Sequence, residues 1–145
     1  MTSITPAVAY RGMGDATRTS GCLTLNGEGV RRHHLRLQHW LAGGDQAALE
    51  EFVGAHGEDF TLVRSDGAVL TRDQMVAALR EVGGSQPDLE IDISEISSPT
   101  AGAVRFLERH TRGSKSELRR VTALVDGNTW LSVHETTVRS RRGTA

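Results

Sequence analysis

Trp130-Leu131-Ser132-Val133-His134-Glu135-Thr136 closes the run Leu89 to Val138, and the reading of that run decides the fold. Three breaks rich in turn residues, Ser98-Pro99-Thr100-Ala101-Gly102, Arg112-Gly113-Ser114 and Asp126-Gly127-Asn128, divide it into four segments. The pattern predicts strands over residues 89–97, 103–111, 117–125 and 129–138. Connections this short join antiparallel neighbours, since a parallel pair needs a crossover.

Alternation assigns faces strand by strand. Leu89, Ile91 and Ile93 oppose Glu90, Asp92 and Ser94, which puts the apolar set inward. In the next segment Val104 and Phe106 share a face with Glu108 and His110, apolar at one end and ionisable at the other. In the last, Trp130, Ser132, His134, Thr136 and Val138 oppose Leu131, Val133, Glu135 and Thr137. Both of those sets are half apolar, so periodicity leaves the inward one open.

Upstream the period changes to that of helices. Val30, Leu37 and Leu41, with Trp40 beside them and His33 or His34 filling the gap, predict a first helix over residues 30–42 that ends at Gly43-Gly44. Asp45 caps a second helix running to about Val53, with Ala48, Leu49, Phe52 and Val53 inward. Phe60–Val63 and Ala68–Leu70 flank Ser65-Asp66-Gly67 as a short hairpin. Thr71-Arg72-Asp73-Gln74 matches a capping box, and a third helix follows with Met75, Val76, Leu79 and Val82 on one side. Residues 1–28, rich in Gly, Ser and Thr and without period, read as a loosely ordered leader. Residues 29–139 read as one domain and residues 140–145 as a basic tail.

Composition narrows the function classes. The 145 residues carry a net charge of -1, which gives no bulk attraction to nucleic acid or to a membrane. Arg139, Arg141 and Arg142 lack the neighbouring aromatic rings that stack on bases. No apolar run approaches the roughly 20 residues that span a bilayer. The single cysteine, Cys22, excludes an internal disulfide framework and fits a reducing, cytoplasmic setting. Gly27-Glu28-Gly29 lacks the third glycine of a dinucleotide loop, and Gly83-Gly84-Ser85-Gln86-Pro87 has proline where a nucleophile elbow needs glycine.

The chain resembles the nuclear transport factor 2-like superfamily, also described as ketosteroid-isomerase-like or SnoaL-like. Trp40-Leu41-Ala42-Gly43-Gly44-Asp45, Asp59-Phe60, Asp66-Gly67 with Thr71-Arg72-Asp73-Gln74, and Trp130 through Glu135 carry the resemblance, which covers about Val30 to Val138. It implies an α+β fold: a cone-shaped, cystatin-like barrel of three N-terminal helices on a strongly curved, mixed but mostly antiparallel sheet. It also implies a cavity between the layers and a homodimer formed through the outer sheet face.

Within the resemblance, two kinds of function are open. One is acid–base chemistry of the lyase or isomerase kind on a small apolar molecule, with no cofactor. The other is a non-catalytic ligand-binding or dimeric assembly module. The steroid isomerase type uses a tyrosine in its oxyanion site, whereas the only tyrosine here is Tyr10, outside the domain. The candidate catalytic residues are His134 and His110, with Glu108 and Glu135 as the carboxylates that orient them. Trp40, Phe60, Phe106 and Trp130 are the candidate cavity lining. No metal is expected, because His33 and His34 are adjacent and no ligand spacing is present.

Overall fold

A computed structural model describes residues 25–139, so the leader expected over residues 1–28 lies mostly, and the tail over residues 140–145 wholly, outside the described residues. The first helix, α1 (Gly27–Gly43), begins three residues before the apolar period does. The cause is local: the Asn26 side chain accepts the Gly29 N–H at 2.8 Å, satisfying a donor of the first turn. Leu25 is buried just ahead of that cap. α1 ends at Gly44, whose φ of 69° lets its N–H and the next reach back to Trp40 and His39. Asp45 then caps α2 (Gln46–Gly54) by accepting the Ala48 N–H.

Strand β1 (His56–Val63) and the short β2 (Val69–Thr71) form the hairpin, with Asp66 accepting the Ala68 N–H across the turn. The capping box is complete in both directions at the start of α3 (Arg72–Arg80), where Thr71 and Gln74 exchange side-chain and backbone bonds. Four long strands follow: β3 (Leu89–Ser97), β4 (Ala103–Arg112), β5 (Lys115–Asp126) and β6 (Thr129–Thr137).

The sheet has the order β2-β1-β6-β5-β4-β3. All neighbours are antiparallel except β1 and β6, which run parallel with Val63 opposite His134. The sheet is therefore mixed and mostly antiparallel, and it curls over the three helices as an α+β cone. Irregularities sit where the strands bend. Between Ser94 and Ser97 the β3–β4 register shifts, and Glu95 there has a φ of 52°.

A second irregularity settles the face of the last strand. Val125 pairs with Trp130 but Leu124 pairs with Ser132, so Leu131 is an extra residue on β6. A bulge of this kind shifts the side-chain alternation by one. Trp130 thus points inward together with Val133 and Glu135, while Leu131 and His134 are exposed. The strict alternation read from sequence, which groups Trp130 with His134, is corrected by this single residue.

Two apolar clusters hold the layers together. The larger joins Val30, Phe52, Phe60, Met75, Phe106, Val121 and Trp130 between helices and sheet. The smaller gathers Trp40, Leu41, Leu49, Val53 and Leu89 at the far end of α1. Trp40 donates its indole N–H to the Leu79 carbonyl at 2.8 Å, tying α1 to α3. Gly83 lies flat against that ring, where a Cβ would come within 2.4 Å of two indole carbons.

Candidate functional site

A cavity of about 860 Å³ lies between the helices and the inner face of the sheet. Its depth is apolar, with Leu37, Phe52, Phe60, Met75, Phe106 and Trp130. Phe60, Phe106 and Trp130 stand where the sequence reading puts them. Trp40 does not: it is packed in the smaller cluster and does not line the cavity. Its N–H finds a partner on α3, and its ring fills the space that Gly83 leaves.

The polar wall is built from β4 outward. Val104, Phe106, Glu108, His110 and Arg112 are successive inward positions, because residues two apart on a strand share a face. Glu108 is only 4 % exposed, and such a group is tolerated in a core when its charge is matched. His110 Nε2 lies 2.6 Å from one of its oxygens, and His34 Nε2 lies 3.4 Å from the other. His34 Nδ1 is in turn 2.9 Å from the Val30 carbonyl, a group that only accepts. An imidazole placed between a carbonyl and a carboxylate satisfies both by carrying two protons.

The proton affinities follow from these contacts. Burial alone would lower the His34 pKa, but the Glu108 charge and contact and the Val30 carbonyl outweigh it, and the pKa is raised. Burial alone would raise the Glu108 pKa, yet the His34 charge and the His110 hydrogen bond hold it well below the usual carboxylate range. Glu135, opposite on β6, goes the other way. Burial raises its pKa, against the pull of Arg119 and with the push of Glu108. Two carboxylates on one wall are thus separated in proton affinity, an arrangement that distinguishes an acid from a permanently charged partner.

Three further groups complete the wall. His33 is 3 % exposed and stacked between Phe52 and Trp130, with centroids 4.3 and 4.4 Å away. Burial first, then the neighbouring His34 and His56, hold its pKa well below the ordinary value. His56 Nδ1 lies 2.8 Å from the Phe52 carbonyl, a group that only accepts, and therefore donates to it; burial lowers the His56 pKa to about 4. Arg119 on β5 reaches Glu117 at 3.1 Å and Glu135 at 3.6 Å. Among the described residues, His33 Nδ1 and Arg119 Nε are buried without a hydrogen-bond partner.

Of the four candidate catalytic residues, Glu108, His110 and Glu135 come together in the cavity wall. His134 stands on the opposite, outer face, beside Thr122 of β5 and Val63 of β1. The extra residue at Leu131 puts it there. Among the cavity residues that the sequence reading does not name as site candidates are His33, His34, His56 and Arg119, although His33 or His34 is expected on the inward stripe of α1. Neighbours on a helix are only about 100° apart, so His33 and His34 both fit the wide inward arc of α1. Arg119 could have been placed from the alternation Arg119, Val121, Ala123, Val125. His56 carried no signal, because β1 starts earlier than its apolar pattern. Among the described residues no cluster of His, Cys, Asp and Glu is arranged to hold a metal ion.

No family model matches the chain, and no curated protein matches it. Solved structures do. A nuclear transport factor 2-like protein of unknown function from Pseudomonas aeruginosa aligns with a TM-score of 0.73 at 24% identity, over 77% of this chain and 97% of that one. A cystatin-fold protein from Novosphingobium aromaticivorans aligns with a TM-score of 0.56 at 12% identity, over 77% and 97% of the two chains. An epoxide hydrolase from Mycobacterium tuberculosis, similar to the LEH type, aligns with a TM-score of 0.54 at 16% identity, over 79% and 81%. The class that fold and cavity define is thus the nuclear transport factor 2-like fold, and likeness at these identities carries the fold alone. Among the described residues no helix is long and apolar enough to cross a membrane.

Proposed function

We propose that the cavity takes a small, largely apolar molecule and moves a proton on it. The observation that supports this best is Glu108, buried with one imidazole at each oxygen. In this reading His110 is the base. Its Nε2–H is committed to Glu108, which fixes the tautomer and leaves Nδ1 to accept a proton from the bound molecule. The imidazolium so formed is stabilised by the same carboxylate. Glu135, whose burial favours its protonated form, gives its proton to the oxygen on which charge develops. The cycle closes when His110 returns a proton and Glu135 regains one, so no net proton is consumed. His34 is a positioning residue: it holds Glu108 in place and touches no reacting atom.

Chemistry of this balance is isomerisation, elimination or hydration. One protein of similar fold is an LEH-like epoxide hydrolase, which supports reading this cavity as a place for chemistry on a small molecule. The test is a thermal-shift screen of small terpenoid, steroid and polyketide-like compounds against the full chain, followed by turnover assays on the hits. A ligand for the cavity raises the melting temperature by mass action. Turnover should fall by ~10²-fold or more in His110→Ala, in line with loss of a general base. Stabilisation without turnover by any hit would leave a binding module and remove the catalytic part.

The outer sheet face favours a second element of the reading, a homodimer in a cytoplasmic setting. Leu124 and Leu131 are 50 % and 42 % exposed on that face, a pattern that suits a covered surface. Light scattering on the full chain distinguishes dimer from monomer. The lone Cys22 supports a reducing compartment.

A further inference from the structure

We infer that the molecule taken by this cavity carries a carboxylate, held at the mouth by Arg112 and Lys115, within a few bonds of the atom on which His110 acts. This inference rests on the cavity reading above and narrows it to a substrate class.

The wall is graded along its strands. On β4 the inward positions run from Val104 and Phe106 through Glu108 and His110 to Arg112. On β5 they run from Val125, Ala123 and Val121 through Arg119 and Glu117 to Lys115. Both strands therefore pass from apolar depth, through ionisable groups, to a cation at the hairpin. Arg112 and Lys115 are paired across that hairpin, and both are exposed where they line the cavity.

The other charges of the wall are already matched. Glu108 faces His34 and His110, and Arg119 faces Glu117 at 3.1 Å, while Glu135 is the acid of the reading above and adds no charge when protonated. Arg64 on the opposite lip is held by Asp66 at 2.7 Å. Asp88 lies beside Gly113 in the turn, yet among the described residues no carboxylate forms an ion pair with Arg112 or Lys115. Two unmatched cations thus stand over an opening whose interior is otherwise balanced. A planar guanidinium takes a carboxylate through two parallel hydrogen bonds, and the ammonium adds a point charge beside it.

Strand geometry supplies the distance. Residues two apart on a strand have Cα atoms about 6.6 Å apart along it and share a face, so His110 and Arg112 stand within reach of one small molecule. That span corresponds to a small acid whose reacting carbon or oxygen lies a few bonds from the carboxylate, with its apolar remainder pointing to Phe106 and Trp130.

Matched probe pairs test this: 3-phenylpropanoate and octanoate, each against its primary amide, titrated into the full chain and followed by amide chemical shifts in NMR. The expected result is binding of the acids at least tenfold tighter than the amides, weakening with added salt. The preference should fall towards one in Arg112→Gln/Lys115→Gln, whose amides still bind. Equal binding of acid and amide, or an acid preference that survives the double substitution, overturns the carboxylate and leaves the cavity reading standing. Failure of both acids and both amides to shift any cavity resonance overturns the inference, and if the compound screen also fails, the cavity reading goes with it. The salt dependence in the unsubstituted protein reports on the same charge without any change of sequence.

Discussion

His34 Nε2 stands 3.4 Å from a Glu108 oxygen while its Nδ1 stands 2.9 Å from the Val30 carbonyl, so a buried positive charge joins α1 to β4. Both side chains are buried in the cavity wall, 10% and 5% exposed. Removing one partner of a buried ion pair leaves the other without its match. His34→Gln should therefore lower the unfolding free energy by about 3 kcal/mol near pH 6, measured by urea denaturation. The His34 pKa is raised on folding, so its contribution is present below the unfolded value of 6.5 and is lost as pH rises through the folded one. The difference between wild type and His34→Gln should shrink at alkaline pH. A difference that stays constant from pH 6 to 10 contradicts a charged His34.

His56 predicts the opposite slope. Its pKa falls from 6.5 to about 4 in the folded chain, chiefly through burial, so the unfolded chain binds more protons between those values. Stability should drop as pH falls from 6.5 to about 4, by about 3 kcal/mol from this residue alone. His33, held low by the same burial, adds to the slope. His56→Gln should flatten the acid limb of a stability-versus-pH curve, and an unchanged limb would show that His56 charges freely in place.

Glu135 and His134 are neighbours on β6 with opposed surroundings. The raised Glu135 pKa means that ionisation opposes folding as pH rises above the unfolded value of about 4.5. Glu135→Gln should accordingly leave the protein as stable as wild type or more so at pH 7, with the difference vanishing below pH 4. His134→Ala, on the outer face, should change stability by no more than about 0.5 kcal/mol. It should also leave ligand binding unchanged. Loss of cavity binding in His134→Ala would mean that β6 has no bulge at Leu131.

Gly83 tests the packing of Trp40. The indole cannot retreat freely, because its N–H is tied to Leu79 and its ring is buried among Leu41, Leu49 and Leu89. A methyl group at 2.4 Å from two ring carbons forces a shift of helix or loop. Gly83→Ala should cost about 1–3 kcal/mol, read from tryptophan fluorescence during urea unfolding. Gly43→Ala, where nothing lies within 4 Å of the added carbon, is the matched control and should be stable.

Element order was legible from sequence because each boundary carries its own chemistry. Asp45 and the Thr71–Gln74 box mark helix starts by hydrogen bonds that their side chains make locally, and the Asp126-Gly127-Asn128 turn is marked by its residue types, with Gly127 at a φ of 62°. The inward face of β4 was equally legible, since alternation is uninterrupted from Val104 to Arg112. The start of α1 was not, because Gly27 and Gly29 hide a helix that Asn26 nucleates from its side chain. The last strand failed for a different reason. A bulge is a property of pairing between two strands, and nothing in Trp130-Leu131-Ser132 alone announces that Val125 and Leu124 skip a residue. The roles of His33, His34 and His56 were not legible because they depend on contacts between α1, α2 and β4, although the helical period already put His33 or His34 inward.

The parallel seam between β1 and β6 has a consequence for how the molecule is made. His56 meets Trp130 and Val63 meets His134, partners separated by more than seventy residues of chain. Loops of that length close late, after the local hairpins have formed. During synthesis β1 and β2 must therefore wait at the ribosome with an unpaired edge until the final ribbon emerges. Nascent chains arrested before Trp130 should be open to proteases and chaperones, because the hollow comes into being only once β6 has paired with β1 and β5.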